Sequence, residues 1–115
     1  MVAVYPVPDA QTGDQVMAAL ELHGDFDPDA FGTFLRSQPD LGTKWAPRYV
    51  RVVDAMPLTG SNKVDKNPIR KEQWTAGDVW WRPGRELDYE HLTDESRTRL
   101  RTAFEQHERS DLLPS

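Results

Sequence analysis

MPLTGSNKVDK, residues 56–66, is a polar segment that separates an apolar run from a helix-compatible run. The run before it, Tyr49 to Val53, is rich in apolar and β-branched residues and predicts a strand. The run after it begins with Asn67-Pro68, and proline is favoured in the first turn of a helix. The segment is therefore predicted to be a short loop between a strand and a helix, with Lys63 at its tip.

The residues before this lysine suit a tight turn. Gly60 has a permissive backbone, and Ser61 and Asn62 can hydrogen-bond to nearby backbone instead of continuing a strand. An ammonium on a flexible stem can bridge a carboxylate and a phosphate that repel one another. At about 4 Å and an effective dielectric near 20, such a contact contributes roughly 4 kcal/mol before desolvation. Local composition alone nevertheless favours a solvated turn lysine without a functional role.

The rest of the chain alternates strand and helix patterns. Residues 2–7 and 16–22 are apolar, with turn-forming residues between them, and predict an antiparallel pair of strands. Asp27-Pro28 predicts the start of a helix that continues to Arg36. Further predictions are a short helix over residues 68–74, an irregular aromatic arm over 75–92 and a final helix over 93–109. The predicted fold class is α+β, with a mainly antiparallel sheet of about three strands, flanking helices and a C-terminal helical extension.

Composition limits the classes of function. The 115 residues suit one domain, and 14 basic against 19 acidic residues form no basic stripe that would predict nucleic-acid binding. The absence of cysteine excludes disulfides and thiol catalysis and is consistent with a cytosolic protein. No apolar run approaches ~20 residues and no basic segment precedes the first apolar run, so neither a membrane span nor a signal peptide is predicted.

Metal binding is not predicted by the acidic and histidine residues. His23, His91 and His107 lie in three different predicted elements without the spacing of metal ligands. The alternating aspartates at positions 25, 27 and 29 are better explained as a helix cap than as a calcium loop, because Pro28 interrupts them and the distal glutamate is missing.

PLTGSNKVDK, residues 57–66, resembles the C-terminal lysine motif of the adenylate-forming superfamily, which contains acyl-CoA synthetases, luciferases and peptide-synthetase adenylation domains. The resemblance extends in the same order to residues 2–9 with Gly13, to 26–36 and to 44–53, over about seventy residues in all. In the tail, Trp80-Trp81-Arg82, Tyr89 and residues 92–95 resemble the extension of the fatty-acid-transport and very-long-chain branch, including actinobacterial fatty-acid ligases.

This resemblance implies a division of the chain and a role for its cations. Residues 1–74 are expected to form the mobile lysine-loop domain of such an enzyme, and residues 75–115 an aromatic arm and C-terminal helix packed on the same domain. Lys63 is expected to serve the adenylation step, in which a fatty acid and ATP give an acyl-adenylate. Lys44 and Arg48 flank Trp45 and are candidate contacts to the phosphates of CoA; a core Trp45 with two solvated cations is the open alternative.

The family's motifs for ATP phosphates, for adenine with magnesium and for ribose are absent from this sequence. We therefore expect a C-terminal domain of a fatty-acid-CoA ligase, or a fragment of one, that is inactive alone and has the large N-terminal domain of the same polypeptide as its partner. That domain is expected to bind most of the ATP and Mg²⁺, with CoA as co-substrate and with a cytoplasmic or membrane-peripheral location of the parent enzyme.

Two other classes of function stay open from the sequence. One is a stand-alone protein-interaction or regulatory module that uses the same small fold and docks its lysine loop on an acidic partner. The other is a nucleotide-binding domain in its own right, although TGSNK at residues 59–63 is short and glycine-poor for a loop that cradles phosphates.

Overall fold

The computed structural model describes residues 2–11, 13–38, 46–84 and 86–114. One sheet has the strand order β1-β2-β3-β4-β5, in which β2 and β3 run parallel and the other three neighbouring pairs are antiparallel. The strands are β1 (Val2–Pro8), β2 (Asp14–Glu21), β3 (Tyr49–Val53), β4 (Asp78–Trp81) and β5 (Glu90–His91). The helices are α1 (Pro28–Arg36), α2 (Asn67–Glu72) and α3 (Asp94–Gln106), followed by a 3-10 turn at Ser110–Leu112.

The α+β class and the mainly antiparallel sheet agree with the prediction, but the predicted count of about three strands is wrong. The additional strands, β4 and β5, lie within residues 75–92, which the sequence predicts as an irregular arm. Residues Trp80 and Trp81 of β4 pack on opposite faces of the sheet. β5 has two residues, which is too short to show any periodicity, so its pairing depends on distant parts of the chain rather than on local pattern.

Side chains cap the starts of two helices, α1 as predicted and α3 in the same way. The carboxylate of Asp27 accepts a hydrogen bond from the Ala30 amide at 3.0 Å, and the hydroxyl of Thr93 accepts one from the Ser96 amide at 3.1 Å. Both side chains therefore satisfy amides that have no partner within the helix. α2 ends before the predicted position, because Gln73 adopts a left-handed φ of 52° that cannot continue a helix.

The sheet is covered on both faces. α1 packs on one face with Val50, Leu87 and Tyr89, whereas α2 and α3 cover the other face. The second face carries the larger core, made of Ala3, Tyr5, Val7, Met17, Ala19, Tyr49, Met56, Ile69, Trp74, Val79, Leu92 and Phe104. Within the described ranges, no helix is both long enough and apolar enough to cross a bilayer.

Candidate functional site

Residues 57–65 form a closed hairpin, called here the lysine hairpin. The Asp65 amide donates to the Pro57 carbonyl oxygen at 2.8 Å, and the Thr59 amide donates to the Lys63 carbonyl oxygen at 2.8 Å. These bonds join the two arms of the hairpin, so its backbone is satisfied from within. The predicted loop is thus a hydrogen-bonded turn with defined geometry.

The tip of the lysine hairpin is held by Thr59. The carbonyl oxygen of Thr59 accepts a hydrogen bond from the Asn62 amide at 3.0 Å. The Thr59 hydroxyl accepts one from the Lys63 amide at 3.3 Å and lies 3.2 Å from the Ser61 hydroxyl. Asn62 adopts a left-handed φ of 62°, a conformation that asparagine tolerates better than most residues. A Cβ at Gly60 would meet no atom within 4 Å, so the conformational demand of this turn lies at Asn62.

The entry and the return arm of the lysine hairpin are attached to the core. Met56 is 5% exposed, and its amide donates to a carboxylate oxygen of Glu21 on β2 at 3.0 Å. Val64 forms an antiparallel bridge with Leu58 and packs against the larger core. Apolar burial at these points holds the hairpin while its tip stays outside.

α2 secures the far side of the hairpin. Ile69 is 3% exposed and packs in the larger core. At the end of the helix, Glu72 pairs with Arg51 of β3 at 3.2 Å, and the Arg51 side chain is only 13% exposed. The sheet and α2 therefore hold the lysine hairpin from both of its ends.

Lys63 is exposed at the tip of this fixed turn. Among the residues that the structure describes, its ammonium takes part in no hydrogen bond or ion pair, although its backbone is bonded on both sides to Thr59. A cation whose backbone is fixed and whose side chain is unengaged can reach an anionic group on another body.

The second predicted cation site is arranged differently. Arg48, just before β3, donates to the carbonyl oxygen of Pro83 at 2.8 Å and lies 5.8 Å from the centre of the Trp81 ring. None of the hydrogen bonds or ion pairs seen in the described ranges joins Arg48 to the lysine hairpin. Lys44 and Trp45 lie outside the described residues. Arg48 lies just before the first residue of β3, whereas the lysine hairpin follows the last residue of β3, so Arg48 and Lys63 lie toward opposite ends of this strand.

Arg82, which belongs to the tail motif Trp80-Trp81-Arg82 but has no role predicted from the sequence, is a buried cation. It is 6% exposed and donates to the carbonyl oxygens of Ala46 at 3.0 Å and Pro47 at 3.2 Å. The hydroxyl of Tyr89 also donates to the Pro47 oxygen. Burial lowers the pKa of Arg82 and raises the pKa of Tyr89 to about 12. Arg82, Tyr89, Ala46 and Pro47 are called here the arginine frame. The only sign of this arrangement in the sequence is an arginine directly after two aromatic residues, Trp80 and Trp81.

The described parts of the chain contain no cluster of three or more histidine, cysteine, aspartate or glutamate residues that could hold a metal ion. The predicted helix-cap role of Asp27 is confirmed, as its carboxylate accepts from Ala30. The Nε2 atom of His91 lies 3.0 Å from Oδ1 of Asp78 on the neighbouring strand. These two side chains form a local pair at the edge of the sheet.

The comparisons with known proteins place this site in context. No family model matches the chain. The chain is 46% identical over 114 residues to steroid-22-oyl-CoA synthetase from Rhodococcus jostii (strain RHA1), a match that covers 96% of the chain and 20% of that protein. It is 51% identical over 82 residues to medium/long-chain-fatty-acid-CoA ligase FadD17 from Mycobacterium tuberculosis (strain ATCC 25618 / H37Rv), covering 70% of the chain and 16% of the ligase. The chain thus spans a fifth or less of these relatives and matches their C-terminal portion.

Proposed function

Because the chain is homologous to the C-terminal part of acyl-CoA synthetases and fatty-acid-CoA ligases, we propose that it works as the small C-terminal domain of such a ligase. The parent enzyme would convert a fatty acid, ATP and CoA into acyl-CoA, AMP and pyrophosphate through an acyl-adenylate. The large domain that precedes the matched region in the relatives would be the partner of this chain. It would bind ATP and Mg²⁺, and this chain alone would be inactive.

The observation that carries the proposal is the exposed ammonium of Lys63 on a hairpin whose backbone is fixed at both ends. In adenylation, a carboxylate oxygen of the acid attacks the α-phosphorus of ATP, a new P–O bond forms, and the bond to pyrophosphate breaks. Lys63 would lie between the carboxylate and the α-phosphate and stabilise negative charge as the two approach. No proton has to move to or from the lysine in this step.

The attachment of the hairpin supports a role in one half-reaction only. Met56, Ile69 and the Arg51–Glu72 pair fasten it to the sheet, so the hairpin would move together with the whole domain. Rotation of the domain after adenylation would carry Lys63 away and let CoA reach the acyl carbon. One pocket could then serve two chemical steps.

The contact of Lys44 and Arg48 with the phosphates of CoA stays a prediction. Arg48 would have to exchange its hydrogen bond with Pro83 for a phosphate oxygen, or use its remaining N–H groups.

A chimera tests the proposal. This chain would replace the matching C-terminal region of the Rhodococcus jostii synthetase, and acyl-CoA formation would be measured with that protein's own acid substrate. We expect an active chimera in which Lys63→Met lowers the rate on the order of 100- to 1000-fold, as loss of one transition-state donor does. Lys71→Met is the matched control, because Lys71 is also an exposed lysine, on α2.

Two outcomes would contradict the proposal. Equal activity of the Lys63→Met and Lys71→Met chimeras would show that Lys63 has no catalytic role. A chimera that folds but shows no activity even with Lys63 present would favour the stand-alone interaction module instead.

A further inference from the structure

Lys66 occupies a position where local rules disfavour a lysine. It is the N-cap residue of α2, with φ −76° and ψ −17°, and its side chain makes no capping hydrogen bond. A cation at a helix N-terminus opposes the helix dipole, and N-cap positions favour serine, threonine, aspartate and asparagine. The neighbouring Asp65 supplies the missing acceptor, since its carboxylate accepts from the Asn67 amide at 3.1 Å. Lys66 is therefore not needed as a cap.

The side chain of Lys66 reaches the sheet instead. Its ammonium donates to the carbonyl oxygen of Val4 at 3.0 Å, across 62 positions of sequence. Val4 lies in β1, an edge strand whose alternate residues Ala3 and Tyr5 are buried in the larger core. The bond thus joins the exit of the lysine hairpin to a strand that burial holds in place.

We infer that Lys66 is a positioning residue, whose bond to Val4 fixes the orientation of the lysine hairpin and hence of Lys63. The inference rests on the proposed function of Lys63. At the start of the hairpin, the Met56 amide is hydrogen-bonded to Glu21. At its end, the hydrogen bond from Lys66 to the Val4 carbonyl oxygen is the corresponding polar contact. In the longer relatives the remaining protein precedes the matched C-terminal portion.

Edge protection is the competing explanation. A lysine beside an edge strand hinders that strand from pairing with another chain. Such a role requires only the charge near β1 and has no consequence for the lysine hairpin. Mobility of the hairpin therefore separates the two explanations.

The first measurement uses the 115-residue chain and amide hydrogen exchange at Thr59, whose amide closes the hairpin on the Lys63 carbonyl. We expect Lys66→Met to speed this exchange about fivefold, which corresponds to the loss of one hydrogen bond. Lys66→Arg retains a donor and should restore much of the protection. Lys71→Met on α2 is the control and should leave the exchange unchanged.

The second measurement uses the chimera described above. Lys66→Met should lower kcat for acyl-adenylate formation about fivefold while leaving the KM for ATP and the reaction of supplied acyl-adenylate with CoA nearly unchanged. Slower adenylation without faster Thr59 exchange would mean that Lys66 touches the substrate directly, which overturns the positioning role. Self-association with unchanged exchange would support edge protection and also overturn it.

The inference and the proposed function can fail separately. If Lys63→Met adenylates normally in the chimera, the proposed function is wrong, and Thr59 exchange in the isolated chain still decides whether Lys66 holds the hairpin. If Lys63→Met is inactive but Lys66→Met matches Lys71→Met in both measurements, the proposed function stands and the inference is wrong.

Discussion

The lysine hairpin and the arginine frame use cations in opposite ways. In the hairpin, backbone groups bond to one another and to Thr59, which leaves the Lys63 ammonium exposed. In the frame, Arg82 is 6% exposed, and its guanidinium donates to the carbonyl oxygens of Ala46 and Pro47. A cation is available to a ligand where the backbone satisfies itself, and it is structural where the backbone depends on it.

The largest effect on stability is expected at Arg82. Arg82→Met removes the side-chain donor to the buried Ala46 carbonyl oxygen and one of the two donors to the Pro47 oxygen, so we expect a loss of about 2–3 kcal/mol in the free energy of unfolding. Lys63→Met should change it by less than about 0.5 kcal/mol, because the side chain is exposed. Urea unfolding of the 115-residue chain measures both. Similar losses in the free energy of unfolding for the two variants would mean that Lys63 supports the fold as much as Arg82 does, which contradicts the distinction between the hairpin and the frame.

The contrast also shows what could be predicted from the sequence. The caps at Asp27 and Thr93 and the loop around Lys63 depend on neighbours within a few residues, so local chemistry predicts them. β5 and the role of Arg82 depend on partners such as β4 and Ala46, which lie 9 to 36 positions away in sequence. Local pattern carries no record of such pairings, and the turn residues around Arg82 make its segment resemble a linker.

Alkaline pH should weaken the buried part of the molecule. Burial raises the pKa of Tyr5, Tyr49 and Tyr89 to about 12 from an ordinary value of 10.0. The unfolded chain then loses these protons first, so stability that is present below pH ~10 is lost as the pH rises toward ~12. Denaturant midpoints measured across this range should fall.

A tyrosine variant sharpens that test. Within the described residues, the Tyr5 hydroxyl has no hydrogen-bond partner, so Tyr5→Phe should cost little at neutral pH and reduce the alkaline loss. Residues 57–65 contain no tyrosine, and Lys63→Met serves as the control that keeps the full loss. An alkaline loss that is unchanged in Tyr5→Phe would mean that this buried hydroxyl does not contribute.

The smallest effects are expected within the lysine hairpin. Asn62→Ala should cost about 1 kcal/mol, because alanine is disfavoured at a left-handed φ of 62°. Gly60→Ala should stay within about 0.5 kcal/mol, because a Cβ there meets no atom within 4 Å. Thermal or urea unfolding compares the pair. A larger loss at Gly60 than at Asn62 would contradict the geometry of the turn.

The most direct test of the proposed role of Lys63 is to measure the two half-reactions separately in the chimera. Acyl-adenylate formation from acid and ATP, and thioester formation from supplied acyl-adenylate and CoA, would be followed in single turnovers of the Lys63→Met and Arg48→Met variants. We predict that Lys63→Met lowers the first rate on the order of 100- to 1000-fold and leaves the second nearly unchanged, whereas Arg48→Met spares the first. Equal losses in both half-reactions for Lys63→Met would contradict the account, because they would make the lysine structural.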